Sequence, residues 1–396
     1  MTRRWQLITG EFPTVPGGVS DYTRAVAAGL AAEGDGVDVW CPAAAGPCDD
    51  PPGVGVHRLP GQWSPADTRL ADAGLDAMPA PRHLLVQWVP HAFGRRSMNV
   101  GFCRWVRRRA RRGDVVDLMV HEPFLAFGEG PLRHDAVAAV HRVMAVMLLG
   151  AARRVWVSIP AWTARLRPWS FGRTPSFCWL PVPSTLPVNG DQDAAARVRG
   201  AVGGPGVLVG HFGTYDAPTR RQLHAVVPGL LHAAAGTRLL LLGRGSDGAA
   251  ESLRRGLPDV RDRIAGAGAL GAAELSAHLQ ACDVMLQPYI DGASTRRTTL
   301  MAALAHGVPV VTTAGRLSEP FWRDSAAVVT VPAGDTAALV AAAASLAGDG
   351  DRRRRLADAA RRTYDARFAL RHVIRALRED RCEPAAPDRV AAARPE

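Results

Sequence analysis

Short apolar runs alternate with helix-length amphipathic stretches along most of this chain. In the first half, Trp5 to Thr9, Val37 to Trp40, Leu84 to Trp88, Val116 to Val120 and Val155 to Ser158 read as strands, and Tyr22 to Ala32 reads as a helix. Strands alternating with helices predict α/β architecture with parallel sheets. The alternation breaks at Leu180 to Asp193, LPVPSTLPVNGDQD, whose prolines, Asn189-Gly190 and polar residues have linker composition. It resumes with Val207 to Val209, Arg238 to Leu242, Val284 to Leu286 and Val308 to Val311. The expected fold is therefore α/β, with two Rossmann-like domains, residues 1–185 and 190–364, facing each other across a cleft.

From Asp283 to Thr313, DVMLQPYIDGASTRRTTLMAALAHGVPVVTT, two of these strands flank a helix-length stretch, a βαβ unit. Asp291-Gly292 turns the backbone, Ser294 or Thr295 is expected to cap the helix, and Gly307 ends it with Pro309 beyond. The start of such a helix has free backbone N–H groups and favours an anion by about 0.3–1 kcal/mol. Arg296 and Arg297 fall in the expected first turn, where their charge opposes the helix dipole. A bound anion explains them better than a solvated face does, so the segment predicts a diphosphate cradle.

Composition narrows the chemistry. The 396 residues, 47% hydrophobic and 21% charged, suit a soluble protein of two domains. No stretch reaches the ~18 uninterrupted apolar residues of a membrane span, since the best candidate, Ala136 to Ala152, contains His141 and Arg142. The N-terminus runs straight into a strand-like segment, so a cytoplasmic protein is expected. All 48 basic residues are arginine. Without lysine, Schiff-base chemistry and a P-loop lysine are excluded, and phosphate falls to arginine or backbone. The net charge of +11 comes with an alanine, glycine and arginine bias and no nucleic-acid reader module, so no nucleic-acid partner is expected. The six cysteines lack paired C-x-x-C spacing, which argues against a zinc site or a disulfide framework and leaves buried free thiols as the expectation. The triplets Asp191 to Asp193 and Asp349 to Asp351 lie in linker-like stretches, so no metal site is expected.

With these motifs in view, the chain resembles retaining glycosyltransferases of the GT-B fold, of the family-four type that moves sugars from nucleotide diphosphates, along nearly its whole length. ITGEFPTVPGGVSDYTRAVAAGLAAEGDGVDVWCP is similar to that family's first strand, glycine loop and helix, which implies that the backbone at Gly17 and Gly18 approaches the donor diphosphate. DLMVHEP resembles a strand ending in a histidine, which implies that His121 faces the transferred sugar. VLVGHFGTYDAPTRRQL stands where the family has a strand, a glycine and an arginine with a lysine; Gly213 and the available cations Arg220 and Arg221 are the implied phosphate ligands. LLLLGRGSD, with Gly243, resembles the next glycine loop, and IAGAGALGAAELSAHLQACDVMLQPY resembles the segment whose backbone, from Ala267 to Leu270, meets the base. A helix near 365–381 is expected to pack back on the first domain, with 382–396 as a flexible tail. The chain departs from the pattern where the family has two glutamates eight positions apart: these fall on Ser294 and Ala302, and Asp291 is the one acid near the first.

The resemblance implies an NDP-sugar co-substrate, no tightly bound cofactor, and a leaving diphosphate that itself takes the acceptor's proton. The protein then supplies charge stabilisation from helix N–H groups and arginines such as Arg220 and Arg296, and no metal is needed. In HLLVQWVPHAFGRRSMNVGFCRWVRRRARRG, Gln87, Trp88, His91 and Phe93 follow a strand and are expected to meet an acceptor sugar, the aromatics by stacking. Trp105, with Arg104, Arg107, Arg108, Arg109, Arg111 and Arg112, forms a basic helix that suits either solvent or an anionic membrane carrying a lipid-linked acceptor. Two rivals share the fold: a sugar-nucleotide epimerase, which would need acidic residues near His121, and a non-catalytic sugar- or nucleotide-binding partner, which the missing glutamates favour. A cofactor-dependent phosphorylase is excluded by the absent lysine.

Overall fold

The apolar runs become strands buried on both faces, each flanked by helices. A computed structural model describes residues 2–385 apart from 16, 44, 45, 47, 48, 173 and 203–205. In chain order the strands are β1 Arg4–Thr9, β2 Gly36–Pro42, β3 Val54–Leu59, β4 His83–Trp88, β5 Val115–Val120, β6 Arg154–Val157 and β7 Ser176–Trp179. They continue as β8 Leu208–Phe212, β9 Arg238–Leu242, β10 Ile264–Gly266, β11 Val284–Gln287, β12 Val310–Ala314, β13 Val328–Pro332 and the short β14 Glu383–Pro384. The chain divides into two units: the residues up to Val182 together with those from Leu370 on, and Pro183–Ala369.

The first unit's sheet has the order β14-β7-β6-β5-β4-β1-β2-β3, parallel except for β14, which pairs antiparallel with β7. The second unit's sheet is parallel, in the order β10-β9-β8-β11-β12-β13. Both are Rossmann-like. In each the strand order reverses once, between β1 and β4 and between β8 and β11. Open α/β sheets take ligands beyond the carboxyl ends of the strands at such a reversal.

The first unit needs both of its chain segments. Helix Gly18–Ala32 buries Tyr22, Val26 and Leu30 in a core that also holds Val373, Ile374 and Leu377 of helix Leu370–Arg378. A Cβ on Gly29 would stand 2.7 Å from Ile374 Cδ1, so only glycine lets the two helices meet this closely. Beyond the second helix, Asp380 accepts from Arg3 (3.0 Å), Arg154 (2.8 Å) and Arg153 (3.1 Å). Burial raises its carboxyl, but hydrogen bonds from Arg3 and Arg153 outweigh this and hold it at about 2.

Two expectations need correction here. The tail is not loose from Cys382 on: β14 extends the sheet, and Cys382 is disulfide-bonded to Cys178 of β7. A pairing across 204 residues leaves no local spacing to read. Cys41, Cys103 and Cys282 are buried free thiols, whereas Cys48 and residues 386–396 lie outside the described residues. Among the described residues no helix is long and apolar enough to cross a membrane.

Because the Asp380 carboxyl is lowered from its ordinary 3.8, its stabilisation is complete above about pH 4 and fades as pH falls towards 2. Asp380→Asn should therefore cost about 2 kcal/mol of unfolding free energy at neutral pH. Chemical denaturation at several pH values should show that difference shrinking in acid.

Candidate active site

In the second unit the loop after β11 is shaped by Gly292, whose φ of 88° lies in the left-handed region. A Cβ there would stand 2.2 Å from both Gly315 N and Ser318 Oγ. Ala293 N then donates to Thr313 O (2.7 Å), fixing the loop to the end of β12. The helix begins at Thr298, later than expected; Arg297 is its N-cap residue and no side chain caps it. Neither Ser294 nor Thr295, the expected caps, serves as one. Ser294 O accepts from Arg297 N (3.0 Å) in a tight turn, while Thr295 gives its N–H (3.0 Å) and hydroxyl (2.5 Å) to Glu319. The buried Glu319 also accepts from Trp322 Nε1 (2.7 Å). Burial pushes its carboxyl up, and these donors oppose the rise. Ser294 Oγ is buried with no hydrogen-bond partner among the described residues.

Arg296 and Arg297 consequently precede the helix instead of forming its first turn. With Arg316 they surround the Asp291 carboxylate, at 3.4, 3.8 and 2.7 Å. Three guanidiniums share one carboxylate, an excess of two positive charges at the start of a helix. Arg297 also lies 4.7 Å over the Tyr289 ring, whose hydroxyl bonds Thr299 Oγ1 (2.7 Å) and is pushed by burial to about 12.

At the neighbouring strand ends, Gly213 N donates to Leu242 O (3.1 Å), and Gly243, with φ 104°, would bring a Cβ to 2.4 Å from Gly213 O. The two glycine loops touch. Ala267 N donates to Leu241 O (3.0 Å), and Leu270 packs at the edge of the core. Arg220 and Arg221 are exposed; Arg220 Nε donates to Tyr215 O (2.7 Å), and the charges of Arg221 and Arg297 help a hydrogen bond from Thr219 to lower Asp216. Gln287 is fully buried, its Nε2 donating to Phe212 O (3.1 Å) and its Oε1 without a hydrogen-bond partner among the described residues.

In the first unit, the loop after β1 closes on the turn after β4: a Cβ on Gly10 would stand 2.3 Å from Ala92 O. Glu11 is raised by burial, opposed by the charge of His91 and by the N–H groups of Ser20 and Val19 at the start of helix Gly18–Ala32. Gly17 makes room for that carboxylate, since a Cβ there would stand 2.9 Å from Glu11 Oε1, while Gly18 faces open space. His121, directly after β5, is buried beside Gln87 of β4, its Nε2 2.9 Å from Gln87 Oε1, with the Tyr22 ring edge-on at 4.9 Å. Burial pulls its pKa down to about 3, so the imidazole is neutral in ordinary conditions. The amide oxygen can only accept, which places the proton on Nε2 and leaves Nδ1 as an acceptor. Gln87 Nε2 is buried without a hydrogen-bond partner among the described residues.

Trp88 and Phe93 do not serve as sugar platforms. Both are buried, stacked on each other at 5.4 Å, with Phe93 on Phe102 at 4.4 Å and Trp63 at the other side. Trp105 is buried in the same cluster, its Nε1 bonded to Asp72 (2.8 Å). The aromatic density in this stretch is core, and of the acceptor candidates His91 is exposed and Gln87 lies under His121. Sequence reasoning missed Glu11, Arg316 and Glu319. Glu319 carries one local signal, an acid followed by Pro320, Phe321 and Trp322 directly after a strand and turn.

Paired Rossmann-like units, each with glycine loops at its strand reversal, are the architecture of GT-B glycosyltransferases. Residues 207–349 match the family described as glycosyl transferases group 1. The chain is 27% identical over 381 residues to phosphatidyl-myo-inositol mannosyltransferase of Mycobacterium leprae, covering 91% of this chain and 92% of that protein. Sucrose-phosphate synthase of Thermosynechococcus elongatus superposes with a TM-score of 0.72 at 19% identity, over 95% of this chain and 98% of that one. Anabaena HepE, solved with UDP-glucose, superposes with a TM-score of 0.67 at 14% identity, over 96% and 99%. The chain is a glycosyltransferase of the GT-B fold.

Removing the Glu319 carboxylate strands three donors, two of them from Thr295. Glu319→Ala should cost about 3 kcal/mol in equilibrium unfolding, with Glu319→Gln recovering most of it. A loss below about 1 kcal/mol for the alanine variant would show that the latch does not hold the loop.

Proposed function

We propose that the chain transfers a sugar from an NDP-sugar to an acceptor hydroxyl with retention of configuration and without a metal. The observation that carries this is the excess of two positive charges where Arg296, Arg297 and Arg316 share Asp291 beside an uncapped helix start. A sugar diphosphate matches that charge, and N–H groups and guanidiniums stabilise it further as it departs. The bond from the sugar's anomeric carbon to the diphosphate breaks as the acceptor oxygen bonds that carbon from the same face; the leaving phosphate oxygen takes the acceptor's proton. Gly213, Gly243 and Arg221 would line the nucleotide side, with Ala267 and Leu270 at the base, and the Ser294 hydroxyl would meet a donor hydroxyl in place of the family's glutamate. His121, neutral, would accept a sugar hydroxyl through Nδ1 and not act as an acid.

On this reading residues 1–185 serve the acceptor and 190–364 the donor, and the protein is cytoplasmic. HepE's complex with UDP-glucose supports the donor class, and the phosphatidyl-myo-inositol mannosyltransferase supports a lipid-linked acceptor. A non-catalytic nucleotide binder is the second reading, favoured by Ser294 and Ala302 at the two glutamate positions.

Purified protein should be stabilised against heat by one of UDP, GDP, ADP or TDP, and should release that diphosphate from the matching sugar nucleotide. Arg297→Ala should lower turnover by about 100-fold without loss of folding. Unchanged turnover would remove the arginine cradle, and binding without turnover across a broad donor and acceptor panel would establish the second reading. The anomeric coupling of the product, read by NMR, tests retention.

A further inference from the structure

Helix Leu132–Leu149 of the first unit, LRHDAVAAVHRVMAVMLL, is apolar at 13 of its 18 positions, and beyond its first turn its polar residues, His141 and Arg142, are both buried. Its outer face is nevertheless open. Leu132 is 88% exposed and Val143 53%, and Ala136 and Ala139 between them are exposed at helical spacing, so an open apolar stripe runs from Leu132 to Val143. Phe127, 52% exposed, lies over the guanidinium of Arg142 beside this stripe, 3.7 Å from its ring centre.

The neighbouring helix, Val100–Arg111, packs against it; the two are successive crossovers, from β4 to β5 and from β5 to β6, and lie on one side of the sheet. Its inner face is sealed by Phe102, Trp105 and the buried Arg109, and its outer face is Arg104, Arg107, Arg108 and Arg111. Arg108 pairs with Asp72 (2.7 Å); exposed Arg104 and Arg107 make no ion pair among the described residues. An apolar stripe beside a row of guanidiniums is complementary to one kind of surface, acyl chains under anionic head groups.

We infer that this face rests on an anionic lipid bilayer, with Leu132 and Val143 entering the interface and Arg104 and Arg107 among the head groups. The inference rests on the proposed transferase only in giving the contact a purpose, presentation of a lipid-linked acceptor; the contact is physically separate from turnover. A helix lying in the surface plane also agrees with the lack of a membrane-crossing helix among the described residues.

The full-length protein should co-sediment with vesicles of equal parts phosphatidylcholine and phosphatidylglycerol, not with phosphatidylcholine alone, and the binding should weaken at about 0.5 M salt. The double variant Arg104→Ser, Arg107→Ser, changed at solvent-facing positions, should bind about thirtyfold more weakly. Val143→Asp should also release the protein, with an unchanged melting temperature. Absence of binding to the anionic vesicles, equal binding to both compositions, or unaltered binding by the arginine variant overturns the inference. So does a lipid-free dimer that both variants dissociate, which would assign the face to a second copy of the chain. Diphosphate release from a soluble sugar nucleotide, measured on the same samples, persists in both variants if only the membrane contact is lost, and thus separates failure of docking from failure of the transferase.

Discussion

One buried carboxylate sets the shape of the second unit's site. By taking the N–H and hydroxyl of Thr295, Glu319 removes the residue that would otherwise cap the helix, and the first turn slips to Thr298. The slip strings Arg296 and Arg297 along the loop instead of winding them into the helix, and from there both reach Asp291. It also leaves the Ser294 hydroxyl buried and uncommitted. A buried acceptor with three donors is expensive to disturb, so the loop's form is held before any ligand arrives.

The first unit uses a related device. Glu11 is stabilised by the N–H groups of Ser20 and Val19 at the start of helix Gly18–Ala32, and Gly17 is glycine because that carboxylate stands where its side chain would be. Both sheets also carry a buried glutamine at the end of the strand beside the reversal, Gln87 on β4 and Gln287 on β11. Each commits one end of its amide to its own unit and leaves the other without a hydrogen-bond partner among the described residues, a donor in the first case and an acceptor in the second. Such groups suit a ligand hydroxyl, since burying them unsatisfied costs about 1–3 kcal/mol each.

Whatever depends on neighbours along the chain was legible in the sequence. The alternation of apolar runs and helices foretold parallel α/β sheets, and Gly292 and Gly307 mark turns because only glycine takes their positive φ without strain. What depends on distant residues was not. Glu319 lies 24 positions from Thr295, and nothing near either names the other. Trp88 and Phe93 read as sugar platforms because an aromatic side chain looks the same in a sequence whether it faces solvent or a second aromatic ring. The edge strands β3, β10 and β14, and the four-residue β7 next to β14, lack apolar runs long enough to stand out, and each is held by pairing to a neighbouring strand.

The return of helix Leu370–Arg378 to the core of the first unit bears on how the protein is made. While the ribosome is still adding the second unit, the opening segment is incomplete, and the apolar side of Tyr22, Val26 and Leu30 waits for Val373, Ile374 and Leu377. The second unit, contiguous from Pro183 to Ala369, has every one of its own strands by the time it emerges. Translation thus delivers the later unit whole while the earlier one stays open, and a nascent chain stalled short of helix Leu370–Arg378 would expose a sticky surface of the kind that chaperones bind.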